Sequence, residues 1–461
     1  MPFNARAQAS PGAPGVSHGY FSDVQIARPA GTPQQFVLLL STSDTPSAAD
    51  RQLAQSMVNA GAMVATVPLN AFYRRLEAEG GKCAYAAGAF ENLARYVQAA
   101  EKLPTYLLPM LVGSDGAAAF VYALLAQAPS GTFASALSLN FCPRMALKIP
   151  LCATEALRWR GAAQGSGIEL LPAAQLNAPW TAVQQRNGDA ACSPAGAAQS
   201  FVARVPQATW VPHAAASAAS ASAAGPSAAV PSAAVPAGFE AAYAGLATQR
   251  VALDPPPAQL ADLPIVEVPS SGAGARFAVL LSGDGGWASI DKEIAASLAK
   301  RGVPVAGFDS LRYFWSERTP GGLATDLDRI IRYYAARWKR TEVILIGYSQ
   351  GADVLPFALN RLPPRTRASV RLTALLGLGQ NASFEFHVTN WIGPSGDRPI
   401  APEAMKLSAA TTLCVYGTEE TDSLCPQLAP RHVRALALPG DHHFSGEYDA
   451  LASRILEAVP R

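Results

Sequence analysis

Charged residues are scarce in this chain. Only 15% of its 461 residues are Asp, Glu, Lys or Arg, and the formal net charge is +2. The basic residues are scattered rather than clustered, so the sequence has no basic stripe of the kind that binds nucleic acid. Apolar residues make up 49% of the chain. The composition predicts compact globular domains and argues against nucleic acid as a partner.

Long apolar runs are also missing from the sequence. A membrane-spanning helix needs roughly 20 consecutive apolar residues. The longest approach to such a run, positions 106–126, has Ser114 and Asp115 at its centre. The sequence therefore predicts no membrane-spanning segment.

The N-terminus lacks the charged and apolar segment of a secretory signal. Ala7, Gln8 and Ala9 have the small-x-small form of a signal-peptidase site, but no such segment precedes them. Either the start is truncated or the likeness arises by chance in an Ala-rich chain. We expect residues 1–30 to be a disordered N-terminus, with a signal-peptide remnant as one explanation of its composition.

Cysteines are few but evenly divided between the two halves of the chain. An even number in each half predicts disulfides and an oxidising compartment. Six buried thiols in a cytosolic protein are the alternative. The connectivity within the first half does not follow from the sequence. The cysteines are Cys83, Cys142, Cys152 and Cys192 in the first half and Cys414 and Cys425 in the second.

A low-complexity segment lies between the two halves. Positions 213–239 consist almost wholly of Ala, Ser and Pro and contain no Asp, Glu, Lys or Arg. Such a composition cannot bury a core and is typical of a flexible linker. We therefore predict a first domain over 31–212, a linker over 213–240 and a second domain over 241–461.

The two halves share one order of elements. "QFVLLLSTSD" at 35–44 matches "RFAVLLSGDGGW" at 276–287, and both are followed by an amphipathic helix and further apolar strands. Strands that alternate with helices predict a parallel sheet with right-handed crossovers. We expect a tandem duplication of one α/β domain.

The copies differ at one turn. The second half has Gly347-Tyr348-Ser349-Gln350-Gly351, whereas the first has Gly113-Ser114-Asp115-Gly116, which looks one residue shorter and has no hydroxyl at its apex. Positions 30–210 also contain no histidine. We expect the first domain to keep the fold and to lack catalytic residues.

Ser349 is the candidate nucleophile. The apolar run "EVILI" leads directly into its Gly-x-Ser-x-Gly motif, and an apolar helical pattern follows. A strand, a sharp turn and a helix around this motif form a nucleophile elbow, in which glycines permit the strained backbone. The alternative is a tight turn with a spectator serine.

A serine nucleophile needs a base and an acid, which follow it along the chain in this fold. The segment after a predicted strand holds Glu419, Glu420 and Asp422, and a later turn holds His442 and His443. We favour Asp422, with Glu420 next, and His442 at the tip of its turn. A disulfide between the flanking cysteines of the second half would fix the position of the acid.

Backbone donors for an oxyanion can be placed as well. The N–H of Gln350 follows the nucleophile, and the turn after the first strand supplies Asp284 as the second donor, with Gly285 beside it. That turn lacks the Lys of a phosphate-binding loop and the spacing of a dinucleotide fingerprint. The double histidine has no further ligand at helical spacing, so we expect neither a metal nor another cofactor.

Several longer motifs of the second half together resemble the bacterial virulence protein family VirJ, and the two-domain layout resembles the longer AcvB members. The resemblance implies an α/β-hydrolase in the periplasm that hydrolyses lysyl- or alanyl-phosphatidylglycerol. It implies that Ser349 attacks the aminoacyl ester, that His442 transfers the proton and that Asp422 orients the imidazole. The motifs are "LLSGDGGW", "GFDSLRYFW", "IGYSQGADVLPF", "YGTEETDSLCP" and "GDHHF".

A lipid substrate implies further contacts. Asp284 or Asp309 would accept the substrate ammonium, Arg312 would meet the lipid phosphate, and Trp287 would line an apolar cleft. Asp309 as a helix cap and Arg312 as a solvated surface residue are the alternatives. The implied partners are the membrane lipid itself, the inner membrane at its periphery, and proteins of a secretion system.

Two other functions fit the same sequence. One is a different serine esterase or thioesterase of the same fold. The other is a non-catalytic periplasmic factor associated with virulence or secretion, for which the duplicated first domain would offer a docking surface. Release of amino acid from the lipid would favour the hydrolase over both.

Overall fold

The structure is a computed structural model, and the chain divides into two compact units, Met1–Val251 and Ala252–Arg461. Each unit contains a central sheet with helices on its faces. The described residues are 15–80, 83–129, 131–161, 167–184, 192, 196–212, 238–248, 257–287, 289–386 and 396–460.

The first unit is built on an eight-stranded sheet of order β1-β2-β4-β3-β5-β6-β10-β11, with a small sheet β7-β9-β8 inserted. The strands are β1 (Val16–His18), β2 (Phe21–Ala27), β3 (Gln35–Ser41), β4 (Ala62–Pro68), β5 (Pro109–Ser114), β6 (Ser135–Leu139), β7 (Arg144–Met145), β8 (Arg158–Gly161), β9 (Ile168–Leu171), β10 (Trp180–Val183) and β11 (Ala208–Val211). The helices are α1 (Ala48–Asn59), α2 (Leu69–Glu79), α3 (Ala86–Ala100), α4 (Ala118–Gln127), α5 (Ala197–Val202) and α6 (Phe239–Thr248).

The second unit is built on a seven-stranded sheet of order β12-β14-β13-β15-β16-β19-β20, with the pair β17-β18 inserted. The strands are β12 (Ile265–Val268), β13 (Arg276–Leu281), β14 (Val305–Phe308), β15 (Glu342–Tyr348), β16 (Val370–Leu376), β17 (Asn381–Ala382), β18 (Arg398–Pro399), β19 (Thr412–Gly417) and β20 (Arg434–Leu438). The helices are α7 (Ser289–Lys300), α8 (Ser310–Tyr313), α9 (Pro320–Trp338), α10 (Gln350–Leu359), α11 (Pro364–Ser369), α12 (Ala401–Ala404), α13 (Cys425–Leu428) and α14 (Tyr448–Glu457).

The two sheets share one topology. In the first, β2 runs antiparallel to β4, and β4-β3-β5-β6-β10-β11 are parallel. In the second, β12 runs antiparallel to β14, and β14-β13-β15-β16-β19-β20 are parallel. Both sheets are covered on their two faces, which explains why their central strands are nearly continuous apolar runs. The prediction of two tandem α/β domains of one topology is confirmed.

The carboxyl ends of the parallel strands carry the loops that differ between the units. Open α/β sheets bind ligands in the crevice outside the carboxyl ends of their strands, where the strand order reverses. In the second unit the loops that follow β13, β15, β16, β19 and β20 all reach this edge. The sheet order therefore brings together side chains that are distant in the sequence.

The N-terminus differs from the prediction. Within 1–30, residues 16–27 are not disordered, because β1 and β2 pair with each other and β2 joins the main sheet. Phe21 and Val24 are buried in the core, and burial of these apolar side chains stabilises the folded segment. The start of the region, at 1–14, lies outside the described residues.

The boundary between the units also differs from the prediction. Helix α6 packs on the first sheet through Phe239, Tyr243 and Leu246, so the first unit extends to Val251 rather than 212. In the chain, α6 follows β11 as α14 follows β20. The Ala/Ser/Pro segment at 213–237, which lies outside the described residues, thus separates two elements of the first unit.

All six cysteines form disulfides. The pairs are Cys83–Cys152, Cys142–Cys192 and Cys414–Cys425, so the predicted pair of the second half is confirmed. Three disulfides fit an oxidising compartment. Among the helices of the described residues, none is long and apolar enough to cross a membrane.

Candidate active site

Ser349 occupies the sharp turn between β15 and α10. Its backbone has φ 52° and ψ −121°, a left-handed conformation that costs a non-glycine residue on the order of 1–3 kcal/mol. The Ser349 N–H donates to the carbonyl of Leu376 on the neighbouring strand at 2.9 Å, which fixes the turn to the sheet. This is the strained strand-turn-helix geometry of a nucleophile elbow.

The glycines of the motif are required by close backbone approach. A Cβ on Gly347 would collide with the carbonyl of Gly351, and a Cβ on Gly351 would collide with the carbonyl of Leu281 at the end of β13. A Cβ on Gly283 would lie 3.3 Å from the Cβ of Ser349. The elbow and the loop after β13 are therefore packed against each other with no room for a side chain.

His442 and Glu420 form the acid–base pair of the site. The Nδ1 of His442 lies 2.5 Å from Oε1 of Glu420, while the Gly417 N–H donates to Oε2 of Glu420 at 2.5 Å. With Nδ1 bound to a carboxylate, Nε2 is the ring nitrogen that can act as a base.

The preference for Asp422 as the acid is wrong in this geometry. Asp422 is exposed, and its backbone carbonyl accepts a hydrogen bond from Gln380. Glu420 is held by the N–H at the end of β19, and only 9% of its side chain is exposed. A buried carboxylate with one oxygen already fixed is better placed to orient an imidazole than an exposed one.

The pair shifts the ionisation of both groups. Burial alone would lower the pKa of His442, but the hydrogen bond and the charge of Glu420 raise that pKa above its usual value. Burial alone would raise the pKa of Glu420, but the hydrogen bonds from His442 and Gly417 hold it below its usual value. The carboxylate is therefore ionised and stabilises an imidazolium, as a general base requires.

His443 has a different environment from His442. Its side chain is 66% exposed, whereas that of His442 is 36% exposed. His443 contacts Asp441 rather than the elbow. Among the described residues, no group of His, Cys, Asp and Glu side chains could hold a metal ion.

One cleft of about 220 Å³ brings the candidate nucleophile, base and acid together. Its walls come from the elbow, from the loops after β13, β16, β19 and β20, and from β17. The lining residues are Asp284, Ser349, Gln350, Asp353, Gly377, Leu378, Gly379, Asn381, Ser383, Phe386, Glu420, Asp422, Ser423 and His442.

The predicted oxyanion donors both line this cleft. Gln350 is the first residue of α10, where a backbone N–H has no acceptor within the helix. Asp284 lies on the loop that packs against Ser349 through Gly283. Their proximity to the elbow is the arrangement that an oxyanion formed at Ser349 would need.

The other predicted substrate contacts lie away from the cleft lining. The Asp309 carboxylate caps α8 by accepting the N–H of Arg312 at 3.2 Å, and Arg312 is exposed on the surface. The ring of Trp287 packs over Gly307 of β14. The helix cap weighed for Asp309 is confirmed. The substrate contacts of Asp309, Arg312 and Trp287 stay predictions, for residues that do not line the cleft of Ser349.

Several residues of the cleft lining are absent from the predicted site, Asp353 and Gly377 among them. Asp353 follows Ser349 by one helical turn, and i,i+4 spacing after a nucleophile is a signal that could have found it. Gly377 carries φ 67°, and a Cβ there would lie 2.5 Å from Cε1 of His442. No local pattern marks Gly377, because its role depends on a ring that arrives from a distant loop.

Residues 275–461 match the family model described as "Bacterial virulence protein (VirJ)". The match lies within the second unit, and it confirms the resemblance for that region. No curated protein matches the chain.

The structure is also similar to solved structures at low identity. Est1E from Butyrivibrio proteoclasticus is 15% identical, with a TM-score of 0.32 over 42% of this chain and 93% of that chain. LpqC, a poly(3-hydroxybutyrate) depolymerase from Bordetella parapertussis, is 13% identical, with a TM-score of 0.32 over 44% and 88%. A hormone-sensitive lipase from a metagenome library is 15% identical, with a TM-score of 0.32 over 43% and 83%.

Proposed function

We propose that this protein is a serine hydrolase that cleaves the aminoacyl ester of lysyl- or alanyl-phosphatidylglycerol and so adjusts the charge of membrane lipid. The observation that carries the proposal is the strained Ser349 in one cleft with the His442–Glu420 pair. The match of residues 275–461 to the VirJ family model supports the family resemblance, and it is that resemblance which implies the substrate class.

The mechanism follows from the roles of these groups. The Ser349 hydroxyl attacks the ester carbonyl while His442 takes its proton, and Glu420 stabilises the imidazolium that forms. The N–H groups of Gln350 and Asp284 hold the oxyanion. Collapse of the intermediate expels the glycerol hydroxyl of phosphatidylglycerol, which receives the proton from His442.

Deacylation repeats the same steps with water. His442 removes a proton from a water molecule, which attacks the aminoacyl-serine carbonyl. The serine leaves with the proton that His442 returns. The products are a free amino acid and phosphatidylglycerol, so each turnover removes one ammonium-bearing group from the lipid.

Location in the periplasm is part of the proposal. The three disulfides support an oxidising compartment. In the periplasm the protein would bind its lipid substrate at the surface of the inner membrane. Peripheral contact with the inner membrane and association with secretion-system proteins belong to the same proposal.

The test is a comparison of substrates on the purified protein. Release of alanine or lysine from aminoacyl-phosphatidylglycerol in mixed micelles is measured beside hydrolysis of short acyl esters and thioesters. We expect the aminoacyl lipids to have the larger kcat/KM. Preference for short acyl esters or thioesters would instead establish a different esterase, and inactivity on every substrate would favour a non-catalytic factor.

A further inference from the structure

Asp353 lies one helical turn after the candidate nucleophile. Its N–H donates to the Ser349 carbonyl at 3.0 Å, one turn into α10. Its carboxylate accepts the N–H of Gly379 at 2.8 Å, so the side chain extends from α10 to the loop after β16. Asp353 lines the cleft between the elbow and that loop, yet the triad chemistry does not use it.

The charged side chains that line the cleft are mostly acidic. Four carboxyl groups line it, those of Asp284, Asp353, Glu420 and Asp422, and no Lys or Arg is among the described residues of its lining. Burial raises the pKa of Asp353 to about 7; the Gly379 N–H and His442 act against this rise, and the charges of Asp284 and Asp422 add to it. A cation beside Asp353 would favour its ionised form and offset the cost of burying it.

A second acceptor belongs to another residue that lines the same cleft. Gln350 is only 8% exposed, and its side-chain Nε2 donates to the carbonyl of Ser383 at 3.3 Å. Its Oε1 is buried and has no donor among the residues that the structure describes. Leaving a buried acceptor without a hydrogen bond destabilises a protein by on the order of 1–3 kcal/mol. A ligand N–H that donates to this oxygen would remove that cost.

We infer that Asp353 and the side-chain oxygen of Gln350 bind the α-ammonium group of the aminoacyl substrate. The inference rests on the function proposed above and assigns the residues that distinguish an aminoacyl ester from a neutral acyl ester. An ammonium group has three donors and no acceptor, which suits two oxygen acceptors in a cleft without cations. The α-ammonium is attached to the carbon next to the ester carbonyl, so its binding groups must line the same cleft as the nucleophile. Asp353 and Gln350 both line the cleft of Ser349.

The experiment compares two lipids that differ only in the ammonium. Alanyl-phosphatidylglycerol and N-acetylalanyl-phosphatidylglycerol have the same ester, but acetylation removes the charge. For the wild-type chain we expect kcat/KM to be about 10- to 100-fold higher for the aminoacyl lipid. In Asp353→Asn we expect this ratio to fall to about 1, mainly through a higher KM for the aminoacyl lipid.

A matched control lies beside the cleft. Glu419 is exposed and does not line the cleft, so Glu419→Gln removes one negative charge nearby and should keep the wild-type ratio. Asp353→Glu retains the charge and should restore part of the discrimination. Labelling of Ser349 by a fluorophosphonate reports whether each variant keeps its elbow folded.

The outcomes separate this inference from the proposed function. If Asp353 only ties α10 to the loop after β16, Asp353→Asn will lose activity on both lipids equally, and the unchanged ratio overturns the inference. Equal rates of the wild type on both lipids overturn it without any variant. A wild type that releases nothing from alanyl-phosphatidylglycerol overturns the proposed function, and the inference with it.

Discussion

The turns after β5 and β15 share a positive φ at their apex but differ in chemistry. Asp115 has φ 49° at the first turn, and Ser349 has φ 52° at the second. Asp115 follows Gly113 as Ser349 follows Gly347, so it stands at the apex. The first motif is therefore not one residue short: Ala117 takes the place of the last glycine.

The side chains around the two turns are different. The Asp115 carboxylate accepts a hydrogen bond from Asn140 at 3.0 Å, whereas Ser349 shares its cleft with His442 and Glu420. The loop that supplies His442 lies between β20 and α14. Between the corresponding β11 and α6, the chain has its Ala/Ser/Pro segment instead. The strained turn thus belongs to the fold, and catalysis depends on the side chains that other loops deliver to it.

The largest expected effect comes from removing the hydroxyl that distinguishes the turns. Ser349→Ala should lower kcat for aminoacyl-phosphatidylglycerol by roughly 10⁴-fold or more, because no other group can form the acyl intermediate. Fluorophosphonate labelling should disappear, while the melting temperature stays close to that of the wild type. Substantial activity in this variant would show that the nucleophile lies elsewhere.

The next effect tests the acid. Glu420→Gln should lower kcat by about 10³- to 10⁴-fold, because the amide cannot stabilise the His442 imidazolium. Asp422→Asn is the matched control and should keep activity within about threefold, since the residue is exposed. The reverse order of these two effects, measured as amino acid release, would restore Asp422 as the acid.

The pH profile tests the same pair by a different measurement. His442 acts as a base only when neutral, and Glu420 raises its pKa, so kcat/KM should rise with pH through a value above 6.5. In Glu420→Gln the residual activity should have its acid limb at lower pH, because the charge that raises the pKa is gone. An unchanged acid limb would mean that another group controls the profile.

A smaller effect is expected at the last position of each motif. Gly351→Ala should lower the stability of the second unit by about 1–3 kcal/mol, because its Cβ would collide with the carbonyl of Leu281. Ala117→Gly should cost only about 0.5–1 kcal/mol, since it adds backbone freedom without a collision. Calorimetry of both variants measures the contrast, and equal losses would show that the two turns are packed alike.

The smallest effect is expected from giving the first turn a hydroxyl. Asp115→Ser in the Ser349→Ala background should restore neither hydrolysis nor fluorophosphonate labelling. Residues 30–210 contain no histidine, so no base from that stretch can activate the new serine. Recovery of labelling would show that the first unit keeps a working base.

By itself the sequence determined those features that depend on local pattern. The elbow at Ser349, the strand and helix alternation and the order of acid and histidine all follow from short-range spacing, because apolar periodicity and turn residues act within a few positions. The disulfide Cys414–Cys425 could be predicted for the same reason, because the two cysteines flank one loop.

Only the tertiary structure decided which side chains meet. Glu420 and Asp422 are two residues apart in one loop, and the choice between them depends on the Gly417 N–H that fixes Oε2 of Glu420 and leaves Oε1 facing His442. The apolar face of helix α6 does not by itself say which sheet it packs on. Its contacts with the core of the first unit show that it belongs to that unit. Side-chain reach and the choice of a packing partner are set by elements far apart in the chain, so no local pattern contains them.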